Sequence, residues 1–315
     1  MNTFRQLRKL CGFDGPRLWV LPWLLTLALT GCSQELAGPA PRYASTPSDR
    51  TAAVHAFAVH PLHNPKKLLQ AYQPLIDHLN SRLSGARLTL EASRDYASFE
   101  QKYRDRKPGF ILPNPWQTLQ AMKAGFHVLA MAGEPGDFRG VLVVLKDSNL
   151  RSPRDLKGKA VSYPAPTALA ACIMPQYFLF RSGLDVSHDL ENKYVGSQES
   201  SMMNVVLGHT AAGATWPPPW RAFQKEHPRE AATLRVIWET EPLINNSVMA
   251  RDDLPPLLRE QVRKLLAGLS ESADGRTILA GMETARFLPA SDADYDVVRT
   301  YVERFEREVR KVETR

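Results

Sequence analysis

Cysteine is scarce in this sequence, with Cys11, Cys32 and Cys172 the three in 315 residues and no Cys-x-x-Cys pair to suggest redox or zinc chemistry. Also missing are Gly-x-Ser-x-Gly, His-Glu-x-x-His and Gly-x-x-x-x-Gly-Lys-Ser/Thr, the arrangements that build a nucleophile elbow, a zinc-protease helix and a phosphate loop. An enzyme would have to be assembled from unlinked residues, so no catalytic residue and no cofactor is expected. There is no long basic run either. Acids accompany the bases, as in Arg104-Asp105-Arg106 and Glu303-Arg304-Phe305-Glu306-Arg307, which argues against a nucleic-acid track. Finally, the one extended apolar run, over 18–29, stops short of the ~20 residues that a membrane-spanning helix needs.

What that run does resemble is a cleaved export signal. Arg5, Arg8, Lys9 and Arg17, opposed by Asp14 alone, form a basic segment ahead of it. Leu29-Thr30-Gly31-Cys32 then looks like the lipobox of bacterial lipoproteins, which makes Cys32 the expected lipidated N-terminus of the mature chain. Acyl chains there would hold the protein on a membrane at ~0.8 kcal/mol per buried methylene. Ser33 in the next position, rather than Asp, resembles outer-membrane sorting in a host with two membranes. With Cys11 removed and Cys32 acylated, Cys172 is the last thiol, so no intrachain disulfide is expected even in an oxidising periplasm. The first 31 residues carry a net +3, leaving +4 of the whole chain's +7 on the remainder, a balance that slightly favours an anionic ligand.

Residues 32–50 are rich in Pro, Ala, Ser and Gly and read as a tether. Beyond them, short β-rich runs alternate with helical patterns. Strands are expected over 54–59, 87–90, 109–112 and 127–131, with helices over 66–83, 96–103 and 115–124. A second unit of the same kind follows, with strands over 141–145, 159–163, 193–195, 211–215 and 234–238 and helices over 167–182 and 200–207. A strand over 247–250 leads back to a helical tail over 255–269, 274–280 and 292–312. This alternation predicts an α/β clamshell of two lobes, each a mostly parallel sheet flanked by helices, of the type II periplasmic binding-protein kind. The expected division is 1–31 signal, 32–50 tether, 51–139 with 247–315 as lobe 1, and 140–246 as lobe 2. Ligands of such sheets sit at the carboxyl ends of strands, where helix N-termini face the crevice.

Several segments carry a family resemblance: Asp95-Tyr96, Asp147-Ser148, Leu150-Arg151-Ser152-Pro153-Arg154-Asp155-Leu156-Lys157-Gly158-Lys159, Phe180-Arg181-Ser182-Gly183-Leu184-Asp185 and Asp294-Tyr295-Asp296-Val297-Val298-Arg299. They resemble the phosphate, phosphite and phosphonate ABC-transporter binding proteins of the PhnD type, over nearly the whole mature chain. The family's Ser-Thr-Ser-Gly anion turn falls on Pro166-Thr167-Ala168-Leu169, where Thr167 alone keeps a hydroxyl. Its His at the next helix start has no counterpart at 198–201, and its Tyr-x-Ser reads Phe138-Arg139-Gly140.

The resemblance and the strand-end rule together nominate the ligand contacts. Thr167 and Ala168 open a helix whose free N–H groups suit an anion oxygen. Ser200 and Ser201 offer hydroxyls at a second helix start. Arg139 suits bidentate pairing with an oxyanion. Asn114 with Trp116, and Thr215 with Trp216, follow strands and place aromatics on the rim of the cleft. Tyr96 stands at the family's Asp-Tyr position, and His60 with His63 at its first turn. A metal at His55, His60 and His63 is not expected, because no acid or cysteine shares that turn, and Cys172 reads as a buried filler. The implied function is lipid-anchored capture of a small oxyanion-bearing molecule, phosphonate- or phosphate-like, for an ABC permease, by a monomer with no nucleic-acid partner. A sensing or adaptor lipoprotein, signalling to a membrane kinase or another partner with a different ligand, is the alternative.

Overall fold

Residues 52–313 are described in the computed structural model, and the expected signal, lipidation site and tether lie outside them. The chain runs β1 (Ala53–Val59), α1 (Pro65–Asn80), β2 (Ala86–Glu91), α2 (Tyr96–Arg104), β3 (Phe110–Leu112), α3 (Pro115–Lys123) and β4 (Phe126–Ala132). After a crossover come β5 (Val141–Leu145), β6 (Lys159–Tyr163), a π-turn (Leu169–Ile173) continuing as α4 (Met174–Arg181), β7 (Leu190–Tyr194), α5 (Gln198–Val206), β8 (Ala212–Thr215), α6 (Pro217–Glu226), α7 (Pro228–Ala231) and β9 (Leu234–Glu239). A second crossover leads to β10 (Ser247–Arg251), α8 (Pro256–Ala267), α9 (Ala273–Gly281), β11 (Phe287–Pro289) and α10 (Asp296–Glu308).

Local chemistry sets these boundaries. In α1, Asn64 accepts from the Lys67 N–H and Pro65 occupies the first turn, while Leu68, Tyr72, Leu75, Ile76 and Leu79 recur at helical spacing and are buried. Asn114 and Gln117 close a capping box on α3. The expected helix over 292–312 instead begins as a 3₁₀ turn (Asp292–Tyr295), and α10 ends at Glu308. From there Arg310 reaches back to Gln176 Oε1 at 2.8 Å.

Strands order β11-β4-β10-β3-β1-β2 in one sheet and β7-β6-β8-β5-β9 in the other. Both are mixed, which corrects the expectation of mostly parallel sheets. In the first, β1 pairs parallel with β2 and β3, but β10 runs antiparallel to β3 and β4, and β11 antiparallel to β4. In the second, β6 pairs parallel with β7 and β8, while β5 is antiparallel to β8 and β9. The reason is geometric. A strand that enters its sheet from a crossover starts at the end where its helix-connected neighbours finish, so β5 and β10 must run against them. β11, a three-residue edge strand, carries no periodic signal from which to foresee it.

The two crossovers also hold each other. Thr240 N–H donates to Gly140 O at 2.9 Å, Gly140 N–H to Thr240 Oγ1 at 2.9 Å, and Leu243 N–H to Phe138 O at 2.8 Å. Among the described residues no helix is long and apolar enough to cross a membrane.

Candidate ligand-binding site

The carboxyl ends of β1, β2, β3, β6, β7 and β8 all empty toward one place. His60 follows β1, Tyr96 opens α2, Asn114 caps α3, Ala168 precedes the π-turn, Gln198 opens α5 and Trp216 precedes α6. These residues, with Phe138, Leu169, Ala170, Ala171 and Asn246, all of them buried, line a narrow cavity open to a water's centre over ≈ 10 Å³, room for about one water. A phosphonate group exceeds that space, so entry requires the two sheet halves to part.

The best anion-facing feature is the π-turn. Ile173 N–H donates to Ala168 O and Met174 N–H to Leu169 O, so the earlier N–H groups, those of Leu169, Ala170 and Ala171, precede the first intrahelical donor and have no acceptor within the helix. Other helix starts around the cavity are closed off. The α3 cap satisfies its own donors, since Asn114 Oδ1 accepts from Gln117 N–H and Gln117 Oε1 accepts from Asn114 N–H. On α6, Pro217-Pro218-Pro219 removes three N–H groups outright, leaving Trp216 as an apolar wall packed on Phe138 at 5.3 Å. Gly140 explains why the family's serine is absent from that position. A Cβ there would lie 2.7 Å from Ala170 O and 2.8 Å from the Pro175 ring, so the crossover seats directly on the π-turn.

The halves are joined around the cavity by hydrogen bonds. Asn114 Nδ2 donates to Thr167 O at 3.1 Å, Thr167 Oγ1 to Glu100 Oε1 at 2.7 Å, and Gln198 Nε2 to the Tyr96 hydroxyl at 3.3 Å. Further out, Lys67 pairs with Glu226 at 2.7 Å and Asn64 Nδ2 donates to Glu199 Oε2 at 3.3 Å. Those outer contacts are exposed and worth at most ~1 kcal/mol each. His60, 2% exposed, bonds Leu112 O through Nδ1 at 2.9 Å, and burial lowers its pKa to about 4. The ring is therefore neutral at physiological pH.

Glu100 is 1% exposed and accepts from Thr167 and from Gln117 Nε2, with Arg104 at 3.6 Å from its other oxygen. Burial raises its pKa, outweighing these partners. An acid raised in this way stabilises the fold most when protonated, and that contribution is lost as pH rises from the unfolded value to the folded one. Glu100→Gln keeps both hydrogen bonds and removes the charge. It is expected to raise the melting temperature by a few degrees at pH 7.5, corresponding to about 1 kcal/mol, and to leave it nearly unchanged at pH 4. Differential scanning calorimetry at the two pH values checks this; an equal effect at both would contradict the charge as the cause.

The structure thus brings Tyr96, Asn114, Ala168, Trp216 and His60 together and leaves other expected contacts elsewhere. Arg139 does not line the cavity, because its guanidinium donates to Glu239 Oε2 at 2.8 Å and to Gly136 O at 2.7 Å. Thr167 spends its hydroxyl on Glu100. Ser201 Oγ ties α5 to the sheet through Ser162 O and Ala214 O, and Ser200 is engaged at the Ser197 cap. Thr215 Oγ1 donates to Gln198 Oε1 at 3.1 Å and so positions a side chain that does line the cavity. Trp116 is a core residue, 3% exposed. Cys172 is fully buried, and burial pushes its thiol up to about 12, which makes it inert packing. Among the described residues no cluster of three or more His, Cys, Asp or Glu could hold a metal ion.

Sequence reasoning missed Gln198, Asn246, Phe138 and Glu100. Ser197 carried a usable signal: as a cap with Ser200 three residues on, it puts Gln198, not the serines, at the head of α5.

Residues 57–295 match the profile of the family described as ABC transporter, phosphonate, periplasmic substrate-binding protein. The chain belongs to this family. Its members are binding proteins rather than enzymes. A relative from Prochlorococcus marinus, a probable phosphite-binding protein of an ABC transporter, is 25% identical over 181 residues, covering 53% of this chain and 61% of the relative. Two solved structures share the fold. The binding component of an ABC phosphonate transporter from Pseudomonas aeruginosa superposes with a TM-score of 0.76 at 17% identity, over 82% of this chain and 88% of that one. The Prochlorococcus marinus protein PhnD1, solved in complex with methylphosphonate, gives 0.74 at 19% identity, over 81% and 99%.

Proposed function

We propose that this chain captures a small phosphorus oxyanion, phosphonate or phosphite in class, between its two sheet halves and presents it to an ABC permease. The observation that carries this is the buried cavity at the convergent strand ends, lined by Leu169, Ala170 and Ala171 of the π-turn, whose N–H groups have no acceptor within the helix. Family membership, and the methylphosphonate held by the Prochlorococcus marinus protein of the same fold, support the ligand class. In this reading the halves, 51–139 with 247–315 and 140–246, rotate about the paired crossovers, and bonds from both halves favour the closed state that the partner reads. Cys32 is the proposed lipid attachment site, with Ser33 directing outer-membrane sorting where two membranes exist, and the chain acts as a monomer.

A sensing role is the second reading. It draws on Glu100, whose bond to Thr167 joins the halves with no ligand needed. Co-purification of the chain with a permease, against co-purification with a membrane kinase, separates the two.

The ligand class is tested by thermal shift with methylphosphonate, phosphite and phosphate. A native-state ligand at 100 times its dissociation constant adds ~2.7 kcal/mol of stability. Ala170→Asp places a carboxylate among the π-turn N–H groups and is expected to weaken phosphonate binding about a hundredfold, equivalent to ~2.7 kcal/mol, without unfolding the chain. Absence of any shift with all three anions would sink the reading.

A further inference from the structure

The cavity is unusual for an anion site in what it offers besides donors. No Lys or Arg lines it, and of its polar side chains one, Asn246, carries a buried acceptor without a partner, while a second, His60, has a lone pair by its tautomer. Asn246, 3% exposed, has an Oδ1 that is buried and has no hydrogen-bond partner. His60 is fixed as a tautomer by its surroundings: a carbonyl oxygen only accepts, so the Nδ1 bonded to Leu112 O carries the proton. Nε2 is then a lone pair, the one polar atom that ring has left for the cavity it lines. A fully ionised phosphonate or a sulfonate presents oxygens alone, and against these two atoms it finds repulsion and an unmet acceptor. Nor is there a cation to offset burial of a second charge, and the helix start supplies only about half of one.

We propose that the site selects a monoanion carrying its own hydrogen-bond donor, a monoprotonated phosphonate, with its P–OH read by Asn246 Oδ1 and His60 Nε2 while its other oxygens take the π-turn N–H groups. This rests on the function proposed above and narrows it. It makes Asn246 and His60 the residues that separate a phosphonate from a sulfonate of the same shape and charge.

The groups that face this space bear on any pH dependence. His60 follows β1 and Tyr96 opens α2, while Glu100, a turn further along α2 and beside Arg104, does not line the cavity but bonds Thr167 next to Ala168. Asn246 also borders a second small void containing Asp137 and Glu283, both of which hold Arg221. His60 stays neutral and Tyr96 protonated between pH 6 and 8.5, while Glu100, raised by burial, is the protein group to control for.

Isothermal titration of the full chain with methylphosphonate and with methanesulfonate, at pH 6 and 8.5, tests the proposal. Methylphosphonate is expected to weaken about tenfold per pH unit above its second ionisation. Methanesulfonate is expected to bind about thirtyfold more weakly at pH 6 and to show no pH dependence. Asn246→Leu should narrow that preference to about fivefold or less. In Glu100→Gln the pH slope for methylphosphonate should persist; its disappearance would assign the proton to Glu100 and overturn the proposal. Equal affinity for the two ligands, or for methylphosphonate at the two pH values, overturns it without any variant. Binding of neither ligand overturns both this inference and the function on which it rests.

Discussion

Lowering the pH from 6.5 to 4 is expected to cost the folded chain on the order of 5 kcal/mol through two buried histidines, most of it above the ordinary carboxylate range. His60 and His63 are the cause. Both are buried at the turn after β1; burial lowers His60 to about 4, and burial with the neighbouring Lys67 and His60 charges lowers His63 to about 3. In the unfolded chain each titrates near 6.5. Between that value and the folded ones the unfolded chain binds more protons, so stability rises with pH at about 1.4 kcal/mol per unit for each histidine. Glu100 has the opposite sign, gaining stability as pH falls, and offsets part of the loss with one group against two. Carboxylates lowered by their partners, such as Asp95 at about 2, begin to add to the loss as pH enters the ordinary carboxylate range near 4 and contribute most of theirs below it. Urea denaturation in half-unit steps from pH 7 to 4 measures the slope, and His63→Leu should reduce it by about half. A stability independent of pH over that interval would show that the turn opens to water at little cost.

The same turn shows how much was legible. Alternating apolar periods place β1 to β9 in order, and the rule that ligands meet carboxyl ends of strands points to His60, Tyr96, Asn114 and Trp216, which line one cavity. What the periods do not encode is direction, so the reversal of β5 and β10 at the crossovers was invisible. Hydroxyl-rich helix starts look like ligand contacts in a sequence because Ser and Thr oxygens serve anions and backbones equally well. Here the backbone and Glu100 took them: Ser201 spans α5 and its sheet, and Thr167 bonds across the halves. Arg139 was nominated for its charge, and the charge is satisfied by Glu239 one crossover away. In the sequence Asn246 carries no signal, because an amide in a connecting segment looks like turn chemistry. Only burial, with an acceptor left unmatched, distinguishes it.

Gly213→Val is expected to destabilise the chain by about 3 kcal/mol, lowering its melting temperature by roughly 6–12 °C, and to impair ligand capture at the same time. Gly213 lies in β8 between Val143 of β5 and Ser162 of β6, under α5. A Cβ there would stand 2.6 Å from Ser201 O, 2.8 Å from a Val205 methyl and 3.2 Å from Ser162 Oγ. Two of those neighbours are not free to retreat. Ser201 Oγ donates to Ser162 O at 2.9 Å and Ala214 O at 2.7 Å, while Ser162 Oγ donates to Ser201 O at 2.8 Å, so lifting α5 breaks a buried network on both sides. A helix raised by even a few tenths of an ångström carries Gln198 with it, and with Gln198 the bonds to Tyr96 and Thr215 that close the cavity. Gly213→Ala, with the same Cβ but no branches, should show a smaller drop of the same kind. Thermal denaturation and phosphonate titration of both variants separate the outcomes. A stable Gly213→Val chain with unchanged affinity would mean that α5 slides on its sheet, and that Gln198 is held by the cavity rather than by the helix beneath it.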